Sequence, residues 1–186
     1  EMTIETDKGT KTVRVYTTDG KVTSACVDMG YAALDTTALH LNIPERQVVD
    51  YPVEIGGQSW NITCVDMGNP HCVVFCPRVD GVDVGTVGPL FEHAPYFPDR
   101  INTEFIRVVN PSTIKMRVWE RGSGETMACG TGACAAVVAA VAAGQCEKGR
   151  DITVRVRGGD LVVNYTDEKV TLTGDARLVY TGEVEY

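Results

Sequence analysis

The chain is short of positive charge: 17 Lys and Arg stand against 25 Asp and Glu, for a net charge of −8 over 186 residues. No basic patch is visible, which excludes a surface built to neutralise nucleic-acid phosphates. No apolar run is both long enough and apolar enough to span a membrane, so the reading is a soluble chain without a membrane partner. There is no secretory signal. The seven cysteines are odd in number and irregular in spacing, so they make no disulfide framework. Reduced thiols in a cytoplasmic protein are the expectation. No CxxC pair with a matching second pair occurs, which leaves no zinc site and no metal expected. An initiating methionine before Glu1 is also missing, and a strand-like run begins at once. The chain reads as the body of a longer one whose front is absent. Its length suffices for one core or two small ones.

What is present is mostly strand. Alternating apolar and polar residues mark 2–6, 11–17 and 22–28, with turns at 7–10 and 18–20. Runs at 47–55 and 58–65 flank Gly56-Gly57, a hairpin signal. Pro52 inside the first run makes it an edge strand or interrupts it. Residues 72–76 are short and apolar, as for a buried strand, and 103–109 and 112–120 flank the turn Asn110-Pro111. Late strands are expected at 152–157, 161–165, 170–173 and 177–180. Val-Asp-Met-Gly occurs twice, at 27–30 and 65–68; it is either coincidence or a pair of equivalent strand exits.

Helices are few. Residues 83–93 are one candidate, weakened by Gly85, Gly88 and Pro89. The second, about 133–143, follows the turn Gly130-Thr131-Gly132 and carries no charged residue on any face, so it should be buried all round. A curved, mostly antiparallel sheet wrapped around one central helix satisfies both facts, giving an α+β fold.

Cys129 lies directly before that glycine turn. The positive end of a helix dipole favours a thiolate there, and the free N–H groups of the first turn suit a carboxylate or phosphate. A small buried core thiol is the competing reading; Cys134, inside the apolar helix, takes that reading. Gly68-Asn69-Pro70-His71 is a tight turn into an apolar strand. His71 alone would be a surface or satisfied histidine; beside Cys129 its imidazole would tune the thiol. Glu120-Arg121 is either a solvated ion pair or a carboxylate for an ammonium next to a guanidinium for a carboxylate. Asn102, at a strand start, says nothing by itself.

Taken together, Gly68-Asn69-Pro70-His71-Cys72, Arg100-Ile101-Asn102 and the run from Glu120-Arg121 through Cys129-Gly130-Thr131-Gly132 resemble diaminopimelate epimerase, a cofactor-independent amino-acid epimerase. Proline racemases share the Cys-Gly-Thr-Gly core but not the Glu-Arg-Gly-Ser-Gly-Glu-Thr before it. The resemblance implies two similar domains, each a sheet around a central helix, with the site in the cleft between them. It implies a small-molecule substrate, LL-diaminopimelate, converted to the meso isomer for lysine and peptidoglycan precursors. By the same resemblance Cys129 is one of two catalytic cysteines, and Gly130 and Thr131 bind the α-carboxylate through their N–H groups. Asn69, Asn102 and Arg121 would hold the distal end of the substrate. Glu120 would contact it, and with His71 would adjust the thiols. The family's other cysteine sits in a Cys-Gly-Asn-Gly motif, whereas the one Cys-Gly here is Cys129-Gly130. The chain therefore resembles the second domain, 26–176, with remnant strands of the first at 1–25 and 177–186. Missing the N-terminal half, it would be inactive alone, and its open strand edges would favour a homodimer. A proline-racemase-like racemase and a non-catalytic binding module of the same fold are the alternative readings.

Overall fold

Alternation sets the strands, and turns with left-handed backbone, such as Asp19-Gly20 and Gly56-Gly57, separate several of them. The computed structural model describes residues 1–6 and 9–185. In chain order the elements are β1 (Met2–Thr6), β2 (Gly9–Thr18), β3 (Lys21–Gly30), β4 (Tyr51–Ile55), β5 (Gln58–Asp66), β6 (Pro70–Phe75), α1 (Val84–Glu92), β7 (Asn102–Asn110), β8 (Thr113–Glu120), β9 (Gly124–Glu125), α2 (Gly130–Ala142), β10 (Asp151–Val156), β11 (Gly159–Tyr165) and β12 (Val170–Asp175). One sheet joins the strands in the order β1-β2-β3-β12-β11-β10-β8-β7-β6-β5-β4, with β9 paired to β8. The pairs β6–β7 and β8–β10 are parallel. The remaining pairs among the described residues are antiparallel.

Two apolar clusters form, one against each helix. Strands β6–β8 feed both because their side chains alternate between faces. Val73, Ile106, Met116 and Val118 join the α2 cluster. Cys72, Val74 and Phe105 join the other, where Trp60, Phe91 and Phe105 meet edge to face. The apolar runs of these strands, which carry few polar interruptions, reflect burial on both sides. Helix α1 begins where Asp83 caps it, its carboxylate accepting from the Thr86 N–H at 3.2 Å. Gly88 is required on α1, since a Cβ there would lie 2.4 Å from the Trp119 indole.

Helix α2 exposes nothing from Gly132 to Ala140 and touches β5, β6, β7, β8, β10, β11 and β12. Ala and Val supply little side-chain bulk, so strands approach it closely. No helix among the described residues is long and apolar enough to cross a membrane.

The structure departs from the sequence expectations in three places. Strand β4 starts at Tyr51 rather than at 47, because Asp50 takes a left-handed φ of 50° and breaks the extended run. Its edge position, last in the sheet, accommodates Pro52. Helix α2 starts three residues early, at Gly130, because the glycine turn is itself its first turn. Residues 177–180 form no strand: beyond the Ala176 N–H, which donates to Thr23 O at 3.1 Å, no further ladder bond follows. The turn expected at 7–10 includes Asp7 and Lys8, which lie outside the described residues, as does Tyr186. The boundary drawn at residue 26 falls inside β3, which is bonded to β2 on one side and β12 on the other.

The repeated Val-Asp-Met-Gly does mark equivalent geometry. At both strand exits the Asp carboxylate accepts from the Gly N–H two residues on, at 2.9 Å for Asp28 and 2.7 Å for Asp66. The glycines share a φ near +85° (85° at Gly30, 86° at Gly68).

Candidate active site

Cys129 is the N-cap of α2. Its backbone is extended (φ −134°, ψ 114°) and its sulfur accepts from the Gly132 N–H at 3.3 Å. Sulfur thus does what a Ser or Asp oxygen does at most helix starts. Thr131 Oγ1 lies 3.6 Å from the same sulfur. The Gly130 and Thr131 N–H groups find no acceptor among the described residues. An anion placed there would meet two free donors and the positive helix end.

The expectation that this position favours the thiolate is corrected. Burial, the largest influence, pushes the Cys129 thiol up to about 11, and the Glu104 carboxylate adds to it. Thr131 and Gly132 pull the other way and do not compensate. The dipole argument considers only the helix, whereas Cys129 is 8% exposed and its thiol has Glu104 and Glu120 as charged neighbours.

A chain of side chains leads from the interior to this cap. His71 is fully buried at the start of β6; its Nδ1 is 2.7 Å from Glu104 Oε1 and its Nε2 is 3.1 Å from Asn69 Oδ1. The Asn69 side-chain amide donates onward to Thr131 Oγ1 at 3.4 Å. His71, Asn69, Thr131 and Cys129, four expected site residues from two distant motifs, are therefore connected. The parallel pairing of β6 with β7, His71 opposite Asn102 and Val73 opposite Glu104, makes this possible.

Asn102 ties two loops together. Its amide donates to Pro70 O at 2.8 Å, and its oxygen accepts from the Arg121 N–H at 3.0 Å. The Arg121 guanidinium is exposed and donates to Asp99 O at 3.0 Å, while the Glu120 carboxylate accepts from the Thr126 hydroxyl. Glu120 and Arg121 do not pair with each other: Glu120 ends β8, Arg121 opens the turn after it, and each side chain has its own partner.

Two buried carboxylates were not anticipated. Glu92 accepts from the Trp119 indole at 2.6 Å and from the Gly122 N–H at 2.9 Å, which fixes the turn before Cys129. Burial raises this carboxyl, but Trp119, Gly122 and Arg100 outweigh it and hold it below its usual range. Glu104 is fully buried. Its only sequence signal is a charge set among apolar alternations on β7. Among the described residues no cluster of His, Cys, Asp and Glu could hold a metal ion.

Burial also pushes up Cys72, Cys76 (to about 11), Cys134 (to about 12) and Cys146. Such groups hold their protons more tightly folded than unfolded. Their contribution to stability is whole below the ordinary thiol value of 9.0 and is lost as pH rises through about 11 for Cys76 and Cys129 and about 12 for Cys134. The thermal midpoint should therefore fall steeply from pH 9 upward, and Cys134→Ala should flatten that fall up to about 12. A midpoint indifferent to alkali would contradict the burial of these thiols.

Comparison with known proteins gives the following. The family model described as diaminopimelate epimerase matches residues 63–185. Among curated relatives, diaminopimelate epimerase of Trichodesmium erythraeum is 49% identical over 88% of this chain and 59% of its own length. That of Pelotomaculum thermopropionicum is 47% identical over 98% of this chain and 65% of its own. The chain thus spans about three-fifths to two-thirds of these relatives. Among solved structures, a probable proline racemase of Agrobacterium radiobacter superposes with a TM-score of 0.65 at 16% identity, covering 93% of this chain and 56% of that one. A hydroxyproline epimerase of Agrobacterium vitis does so with the same score and identity over 92% of this chain. At this identity the likeness is one of fold.

Proposed function

Because the chain belongs to the diaminopimelate epimerase family, we propose that it supplies one half of a two-cysteine centre converting LL-diaminopimelate to the meso isomer without a cofactor. The observation that carries this reading is the Cys129 sulfur held at the mouth of α2 beside the free N–H groups of Gly130 and Thr131. Inverting an α-carbon needs a base on one face and an acid on the other. One sulfur, as thiolate, takes the α-proton; the other, as thiol, returns one to the opposite face, so the pair ends with its proton exchanged. At neutral pH Cys129 keeps its proton and is therefore the acid of the resting pair. The substrate carboxylate, seated on the two amides, spreads the carbanion charge toward the helix end. Asn69, Asn102 and Arg121 hold the distal end, and Glu120 contacts the substrate; the Asn102 side chain does so by keeping the 68–71 and 121–122 turns in place.

The finer architecture we infer is a sheet curved about α2, supported by that helix's lack of any exposed face over 132–140. We assign 26–176 to the family's second domain, and 1–25 together with the segment 177–186 to a first. The exposed Met2, Ile4, Tyr16 and Val22 belong to the β1–β3 end of the sheet, and Leu178 to the segment after β12; there we place that first domain, or a second copy in a homodimer. Free thiols support a cytoplasmic setting.

With one cysteine the cycle does not close. Incubated with LL-diaminopimelate in deuterium oxide, this chain forms no meso isomer, while the Gly130 and Thr131 amide resonances shift on titration. Meso product from the chain alone overturns the one-cysteine reading. Amides that respond to proline and not to diaminopimelate overturn the substrate.

A further inference from the structure

We propose that Glu104 is a positioning residue of this site, fixing His71 and, through it, Asn69 and the Thr131 end of the helix mouth; this rests on the reading of Cys129 as the reacting group. Hydrogen-bond chemistry orders the chain of contacts. The Asn69 amide nitrogen faces Thr131 Oγ1, so its oxygen faces His71, and His71 Nε2 must donate. Across the 2.7 Å from Nδ1 to Glu104 Oε1 there is room for one proton. The carboxyl lies over the first turn of α2, whose positive end favours an anion, so the charge belongs on Glu104 and the proton on Nδ1. Both ring nitrogens then donate, and the imidazole plane is locked at both ends.

A second, independent observation places the same carboxyl beside the sulfur. Its other oxygen, Oε2, is buried without any hydrogen-bond partner. A Cβ built on Gly132 would meet Glu104 Oε1 at 2.6 Å and Cys129 Sγ at 3.1 Å. Both atoms thus converge on the space that the missing side chain leaves, which explains why the third residue of the Gly130-Thr131-Gly132 turn is glycine. An incompletely solvated carboxylate next to a sulfur opposes its ionisation. The titratable groups around Cys129 are Glu104 on β7, Glu120 at the end of β8, Cys134 on α2 and, behind Glu104, His71 on β6. Glu104 is the largest charged influence among them. It thus has two effects: it orients the donors at the helix mouth, and it keeps the proton on the sulfur until substrate arrives.

Two variants separate these effects, and neither readout involves substrate, so the result is independent of whether diaminopimelate is the ligand. In Glu104→Gln the side-chain amide donates to Nδ1, which keeps the lock but removes the charge; in Glu104→Leu both go. The rate at which iodoacetamide alkylates Cys129, followed on its own peptide by mass spectrometry across pH, should rise about tenfold at pH 8 in both variants, the change expected for one unit in a thiol's ionisation. The His71 Nε2 proton resonance should persist in Glu104→Gln and be lost to exchange in Glu104→Leu, with the Asn69 and Thr131 resonances moving only in the latter. A wild-type alkylation profile in the variants, or an unmoved His71 in Glu104→Leu, overturns the proposal. Should circular dichroism show Glu104→Leu unfolded, the alkylation profile of Glu104→Gln decides alone.

Discussion

Ala136→Asp yields a chain that does not fold. Ala136 and its neighbours on α2 from Ala133 to Ala140 are 0% exposed, and the helix meets β5 to β8 and β10 to β12. A carboxylate on an amphipathic helix turns to water; here no face leads there. Neither a base nor a free donor lies at mid-helix, so the charge would be buried unpaired, a penalty of several kcal/mol, comparable with the whole stability of a domain of this size. Overpacking of an all-small helix adds to it. The variant should show no cooperative thermal transition by circular dichroism, while Ala136→Ser, which can bond back to its own helix carbonyl, should melt cooperatively at a lower temperature. A cooperative melt of Ala136→Asp close to that of the parent would mean that the centre of α2 reaches solvent.

The second large effect belongs to the buried pair. His71→Leu removes the one hydrogen-bond partner, among the described residues, of a carboxylate that is wholly enclosed. Breaking such a pair from one side destabilises by about 3–5 kcal/mol, because the surviving charge stays unpaired. Glu104→Leu should be milder, since it removes the buried carboxylate itself rather than stranding it without its partner. Replacing both with leucine should recover most of the loss, as buried pairs exchanged for apolar groups of similar volume commonly do. Denaturant midpoints of the parent, the two single variants and the double variant complete the cycle. A His71→Leu loss no larger than that of Glu104→Leu would place the charge elsewhere than on Glu104.

Much of this was legible because it is local. Glycine and asparagine turns, period-two alternation and the uncharged stretch after Cys129 each report on a few consecutive residues, and they located β1–β3, β5–β8, β10–β12 and both helices to within a few positions. The start of β4 was misplaced because one left-handed residue, Asp50, ends an apparently continuous run. The short β9 was missed because two residues carry no period. The strand expected at 177–180 failed for a different reason: alternation describes a face, but a strand also needs a neighbour to bond. At the site, the motifs around His71 and Cys129 stood out by composition. Glu104 and Glu92 did not, because what distinguishes them is burial and partners supplied from β6, α1 and β8. The thiolate expectation failed for the same reason: proximity to a helix end can be read from sequence, whereas solvent exclusion and a carboxylate 25 positions earlier in the chain cannot.

The pairing of β3 with β12 also sets the order of assembly. Asp28 and Lys169, 141 positions apart, meet at 3.1 Å across that seam. During synthesis β1–β3 leave the ribosome long before β12, the strand that flanks them, exists, and they wait without that neighbour until residues 170–175 emerge. Contacts of such long range slow folding. That interval is when the nascent protein most needs chaperone protection against association with other chains.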